Sequence, residues 1–216
     1  MNEHRIVVER RARFYSVGDL TTASDVWVVL HGYGQLAREF LATFTPLVAA
    51  GRAFVAPEAL NRFYLTSGAS GSHQDAAVGA TWMTREDREA EIADAVAYLD
   101  AVTNATRAPR ARLCTLAFSQ GVATMIRWLA LGAARAERVV VWAGRFPHDL
   151  DVRDLAPRLP ANGIELVSGT RDAYGGWAAL EEQEAQLNAA GVPVRRFGFE
   201  GGHRLDDATL RAIVDR

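Results

Sequence analysis

The feature that most limits the folds open to this chain is a series of short strand-like runs separated by helix-length stretches. Asp25 to Leu30 (DVWVVL) and Arg138 to Trp142 (RVVVW) are almost wholly apolar, the mark of strands covered on both faces. Arg52 to Ala56, Arg112 to Phe118, Ile164 to Ser168 and Val194 to Phe199 join them. Helical stretches fall between: about Leu36 to Ala50, divided by Pro46 and closed by Gly51, then Thr84 to Thr103, Gln120 to Leu131, Gly176 to Ala190 and Asp206 to Ile213. The alternation predicts an α/β protein with a mostly parallel, doubly wound sheet and helices on both faces. His4 to Val17 is rich in β-branched and aromatic residues and predicts one or two antiparallel strands at the N-terminal edge, with Arg10 and Arg11 solvated there. Thr84-Arg85-Glu86-Asp87 reads as a variant capping box. A length of 216 residues predicts one domain, 1–216, with a real core.

Composition excludes several function classes. The 24 basic residues are all arginine, the net charge is −2 and the five histidines are scattered, so there is no basic footprint for nucleic acid. The single cysteine, Cys114, rules out an internal disulfide framework and a multi-cysteine metal site. Inside a predicted strand it reads as a small buried residue rather than a nucleophile. No metal-ligating pattern stands out. No signal-peptide stretch follows Met1, and no run approaches the roughly 20 apolar residues of a membrane span, so the expectation is a cytoplasmic protein. Monomer and homodimer both stay open.

The chemistry centres on Leu116-Ala117-Phe118-Ser119-Gln120-Gly121, where a strand-like run passes into a helical one. A serine on so tight a turn projects its hydroxyl beside the first N–H groups of the helix. Small residues are needed two before and two after it, and Ala117 and Gly121 meet that need. Alone, Ser119 reads equally well as a helix N-cap. Its setting decides. In a parallel sheet ligands lie beyond the carboxyl ends of the strands, and Ser119, Asp172, His203 and the turn His31-Gly32-Tyr33-Gly34 each follow a predicted strand.

A serine hydroxyl needs a base, and the base needs an acceptor to fix its tautomer. Ser119, Asp172 and His203 occur in the Ser…Asp…His order of α/β-hydrolases. Backbone donors for an oxyanion would be the N–H of Gln120 and, from the turn after residues 25–30, that of Tyr33. Gly32 and Gly34 let the backbone come close to a substrate there. Asp151 and Asp154 rival Asp172, which follows its strand more directly. His31 reads as a brace for the Gly-x-Gly turn rather than the base. Asp206 and Asp207 read as caps of the last helix. His73 carries no assigned role.

The connection from Pro57 to Met83 is long for a compact domain and holds a Gly/Ser-rich middle, Ser67 to Ser72. With Phe63, Tyr64 and Trp82 it reads as a wall of the substrate pocket. Tyr33, Phe146 and Tyr174, placed after strands, complete the candidate aromatic lining.

The segments Leu30-His31-Gly32-Tyr33-Gly34-Gln35, Phe118-Ser119-Gln120-Gly121, Ala143-Gly144-Arg145-Phe146-Pro147, Gly169-Thr170-Arg171-Asp172 and Gly202-His203, with Trp82-Met83 before a helix, resemble the phospholipase/carboxylesterase family of α/β-hydrolases. That family takes in small bacterial carboxylesterases and acyl-protein thioesterases. The resemblance runs from about residue 25 onward. Ala117 departs from it, standing where the family's nucleophile motif has its first glycine. The resemblance implies an α/β-hydrolase fold and a cofactor-free serine esterase acting on a small-molecule ester. Ser119 would be nucleophile, His203 base, Asp172 its orienting partner, and the Tyr33 and Gln120 N–H groups the oxyanion hole. Lysophospholipase and thioesterase activity are alternatives on the same triad. A binding protein that keeps the fold without catalysis is a third reading.

Overall fold

The computed structural model describes residues 1–65, 75–174 and 176–216. In chain order the strands are β1 (Phe14–Val17), β2 (Asp25–Leu30), β3 (Arg52–Pro57), β4 (Asn61–Tyr64), β5 (Val78–Thr81), β6 (Arg112–Phe118), β7 (Arg138–Trp142), β8 (Ile164–Gly169) and β9 (Val194–Phe199). The helices are α1 (Ala37–Ala42), α2 (Arg88–Thr106), α3 (Gln120–Leu131), α4 (Val152–Leu155), α5 (Gly176–Ala189) and α6 (Asp207–Val214).

Seven strands form one sheet in the order β1-β3-β2-β6-β7-β8-β9. All its pairings are parallel except that of β1 with β3, which is antiparallel. The apolar runs explain this. Val26, Val28 and Leu30 of β2 enter one core layer, with Trp128, Met125 and Leu99. Trp27 and Val29 enter the other, with Phe44, Phe54 and Trp142. A strand with no polar face is stable only when helices cover both sides.

Several expectations need correction. Residues 4–13 are not a strand; only Phe14–Val17 joins the sheet. The helix after β2 is cut short: α1 ends at Ala42, and Pro46 sits in a separate 3-10 turn over Thr45–Leu47. The Thr84–Asp87 capping box does not form. Thr84 Oγ1 accepts from Glu86 N–H at 3.1 Å, and α2 begins after Asp87, whose φ is 46°. The stretch 57–83 is not simply a loop, because its two ends pair as an antiparallel hairpin, β4 with β5. The Gly/Ser-rich segment Ser67 to Ser72, and His73, lie outside the described residues. Helix α4, capped by Asp151 Oδ1 accepting from Arg153 N–H at 2.8 Å, is an addition to the expected elements.

The hairpin serves the turn after β2. Gly34 N–H donates to Ala80 O at 2.9 Å, and Ala80 N–H donates to Gln35 O at 3.2 Å. Backbones approach so closely that a Cβ on Gly79 would lie 2.4 Å from Gly34 O. Glycine at 79 is therefore a packing requirement.

Candidate active site

Ser119 sits between β6 and α3 with φ 54° and ψ −119°, a backbone conformation that costs a side-chain-bearing residue of order 1–3 kcal/mol. Neighbours hold it there. Ser119 N–H donates to Trp142 O at 2.9 Å, and Val122 N–H donates to Ser119 O at 3.0 Å. Gly121 lets α3 lie on the end of β2, since a Cβ there would be 2.7 Å from His31 O and 2.8 Å from Leu30 O. Ala117, in the place of a smaller residue, is fully buried between β2 and β7 and does not prevent the turn.

The turns after β8 and β9 bring the other two groups in. Thr170 N–H donates to Phe199 O at 2.9 Å and Arg171 N–H to Gly201 O at 2.8 Å. A Cβ on Gly169 would meet Gly201 O at 2.4 Å, so the two turns lie in direct backbone contact. His203 Nε2 is 2.8 Å from Ser119 Oγ, and His203 Nδ1 is 2.9 Å from Asp172 Oδ2. With a carboxylate on Nδ1, the proton belongs on that nitrogen, and Nε2 is left to accept from the serine hydroxyl. The imidazole meets two aromatic rings, Phe118 at 4.8 Å and Tyr174 at 4.7 Å between centroids. The Asp172 side chain is 2% exposed, and its Oδ1 accepts from Tyr174 N–H at 2.9 Å. Both carboxylate oxygens are thus engaged, which holds the imidazole at one angle.

Asp151 caps α4 and Asp154 lies in its first turn, so neither approaches His203 as Asp172 does. Asp206 caps α6 by accepting from Thr209 N–H at 3.1 Å. His31 is fully buried beneath the turn. Its Nδ1–H donates to Gly32 O at 2.8 Å, while Nε2 accepts from Ala59 N–H at 3.1 Å. Burial holds its pKa below the ordinary value, opposed by the Gly32 carbonyl and the Glu58 charge. The histidine braces the turn, as its place before Gly-x-Gly led us to expect. Cys114 is buried, and burial pushes its thiol up to about 12.

Among the described residues, neither the Tyr33 N–H nor the Gln120 N–H donates to a protein acceptor. The turn that carries Tyr33 abuts the nucleophile: a Cβ on Gly32 would lie 3.2 Å from Ser119 Cβ. Its geometry is fixed by Gly32 N–H donating to Gln35 Oε1 at 2.7 Å. The Gln120 side chain does separate work, spanning to Thr81 Oγ1 and Met83 O and so tying the end of β5 to the start of α3.

A cavity of about 170 Å³ opens at Ser119 and His203, lined also by Gly144, Leu166, Tyr174 and Leu180. Tyr174 is the one member of the expected aromatic set that lines it. Trp82 is 2% exposed, in the core, and its indole N–H donates to His31 O at 2.8 Å, so it supports the turn from beneath. Phe146 lines a neighbouring cavity. The Tyr33 and Phe63 rings meet at a tilt, centroids 5.0 Å apart, on the hairpin side, and Tyr64 is an exposed residue of β4. No described residue of 57–83 lines the cavity at Ser119. These placements share one cause: strand-end position predicts which loops meet, but not which way a ring packs. Gln183, which also lines the cavity, was missed, although a polar residue inside the buried stripe Leu180, Gln183, Leu187 of α5 was a visible signal. No group of histidine, cysteine and acidic residues among those described could hold a metal ion.

The strand order, the helices on both faces and the serine at a strand-to-helix turn define a class: the chain has the α/β-hydrolase fold. Solved structures agree. Acyl-protein thioesterase 2 from Zea mays superposes with a TM-score of 0.72 at 17% identity, covering 95% of this chain and 97% of that one. Esterase PE8 gives 0.70 at 18%, with the same coverage. A phospholipase/carboxylesterase from Dyadobacter fermentans gives 0.63 at 14%, covering 97% of each chain. No family model and no curated protein matches the sequence.

Proposed function

We propose that this chain is a serine hydrolase of the phospholipase/carboxylesterase type that cleaves carboxylic esters of short to medium chain length through an acyl-enzyme on Ser119. The observation that carries the reading is the unbroken hydrogen-bonded line from Ser119 Oγ through the His203 ring to Asp172, with links of 2.8 and 2.9 Å. His203 Nε2 takes the hydroxyl proton as Oγ attacks the ester carbonyl. The carbonyl oxygen becomes an oxyanion facing the N–H groups of Tyr33 and Gln120. The imidazolium, stabilised by Asp172, passes its proton to the departing alcohol. Water then repeats the sequence on the acyl-serine. Every group needed belongs to the chain, so the mechanism calls on no cofactor. Thioesters suit the same groups, and an esterase and an acyl-protein thioesterase are both among the fold neighbours.

The test is hydrolysis of p-nitrophenyl esters from acetate to palmitate by wild type and Ser119→Ala, with fluorophosphonate labelling of both. Turnover should fall on the order of 10³-fold or more in the variant, and labelling should vanish. Equal turnover in the two proteins would show that Ser119 is not the nucleophile.

A further inference from the structure

Two cavities share part of their lining. The first is the 170 Å³ space at Ser119 and His203. The second, of about 520 Å³, is lined by Phe146, His148, Leu150, Arg153 and Gln186 among others. Gln183 and Arg145 are common to both. Gln183 is 9% exposed, and both ends of its amide are engaged. Oε1 accepts from Phe146 N–H at 2.8 Å, and Nε2 donates to Gly144 O at 3.2 Å. The 144–146 segment is held equally firmly from its other side. A Cβ on Gly144 would lie 2.6 Å from Ser119 O and 2.4 Å from Val122 Cγ2. The partition between the cavities is therefore built from a buried helix residue and a strap packed on the nucleophile turn.

The first cavity lies on the His203 side of Ser119. His203, Asp172 and Tyr174 line it; among the described residues, none of the 31–35 turn and not Gln120 does so. In acyl transfer the histidine protonates the leaving oxygen, so the alcohol part of an ester must lie within its reach. A space of about 170 Å³ is smaller than the roughly 300 Å³ at which drug-sized ligand sites begin. It accepts a small group. We propose that Gln183 is a specificity-determining residue whose side chain closes the alcohol site, restricting substrates to esters of small alcohols and shutting off the second cavity. The inference rests on the hydrolase reading above.

Acetate esters of ethanol, butanol, hexanol and octanol, followed by acid release, test it in wild type, Gln183→Ala and Gln183→Met. The reading is the octyl-to-ethyl ratio of kcat/KM within each protein, which a general loss of folded protein leaves unmoved. In wild type the ratio should be below about one tenth, and Gln183→Ala should raise it by about tenfold or more. Methionine fills nearly the same volume without the amide hydrogen bonds, so Gln183→Met should keep the wild-type ratio. A ratio unchanged in Gln183→Ala overturns the proposal. So does an equal rise in Gln183→Met, which would assign the effect to the strap rather than to bulk. A shift confined to a matched series of acyl chains would place the acyl group, not the alcohol, in the cavity and overturn it as well. Wild type that labels with fluorophosphonate yet cleaves octyl acetate as readily as ethyl acetate sinks this inference alone. Wild type that neither labels nor cleaves any ester sinks the hydrolase reading with it.

Discussion

His31 shows how much a single side chain can fix. Its two nitrogens are spent on Gly32 O and Ala59 N–H, and its carbonyl accepts from the Trp82 indole. A second ring proton would have to sit on Nε2, where Ala59 N–H already points, on a side chain with no surface exposed to solvent. That is why burial dominates and the folded-state pKa is depressed from 6.5. The sign follows. Below pH 6.5 the unfolded chain binds a proton that the folded chain refuses, so stability is full above that pH and falls as pH drops toward the folded-state value. Replacing His31 by Gln should cost about 1–3 kcal/mol at pH 8 through lost or imperfect hydrogen bonds. The variant should then lose less between pH 8 and pH 5 than wild type does. Denaturant melts at both pH values measure it. Equal pH dependence in the two proteins would mean that His31 titrates normally.

At the scale of elements, the close contact of α3 with β2 decides whether Ser119 is presented at all. Gly121→Ala places a methyl against two backbone carbonyls that cannot move separately from the sheet. We expect a loss of about 1–3 kcal/mol in unfolding free energy, with displacement of the Ser119 turn and reduced fluorophosphonate labelling. A variant as stable and as reactive as wild type would show that the helix can shift freely. This scale also shows what was legible in the sequence. Strands β2, β6 and β7 were readable because their apolar runs tolerate no exposed face, and β9 by its alternation; Ser119, Asp172 and His203 were readable as candidates because each follows a predicted strand. The hairpin β4–β5 was hidden. Val78-Gly79-Ala80-Thr81 has no strand-like run of large side chains, and it is ordered by its partners at Asn61–Tyr64 and at the 34–35 turn. Ile6, Val7 and Val8 misled in the opposite direction. Their propensity is for strand, yet no edge receives them, and they stay exposed. Gln183 was overlooked because apolar patterning picks out the stripe, and the signal, a polar residue inside it, is seen only when the exceptions are read as well.

Across the whole molecule, one charged cluster joins parts distant in sequence. Asp149 accepts from Arg127 at 2.7 and 3.1 Å and pairs with Arg88 at 2.7 Å, linking α2, α3 and the segment after β7. The hydrogen bonds from Arg127 hold its carboxyl well below the ordinary carboxylate range, against the opposing effect of burial. Arg127 is 6% exposed in its side chain, so Asp149→Ala strands a buried cation. Breaking such a pair costs roughly 3–5 kcal/mol, and the partial exposure of Asp149 puts our expectation at the lower end. Thermal unfolding of Asp149→Ala against wild type measures this, and a change within error would show that Arg127 finds another partner or water. The strand order has a further consequence, in the time the chain takes to reach its shape. Asp25 and Arg112, which begin the pairing of β2 with β6 at the middle of the sheet, are 87 residues apart. The entropy of closing so long a loop is spent before that pairing returns any stability. The centre of the sheet is therefore slow to close, and until it does β2 presents an apolar edge to other copies of itself. Yield on refolding should depend on protein concentration far more than the finished molecule's surface would lead one to expect.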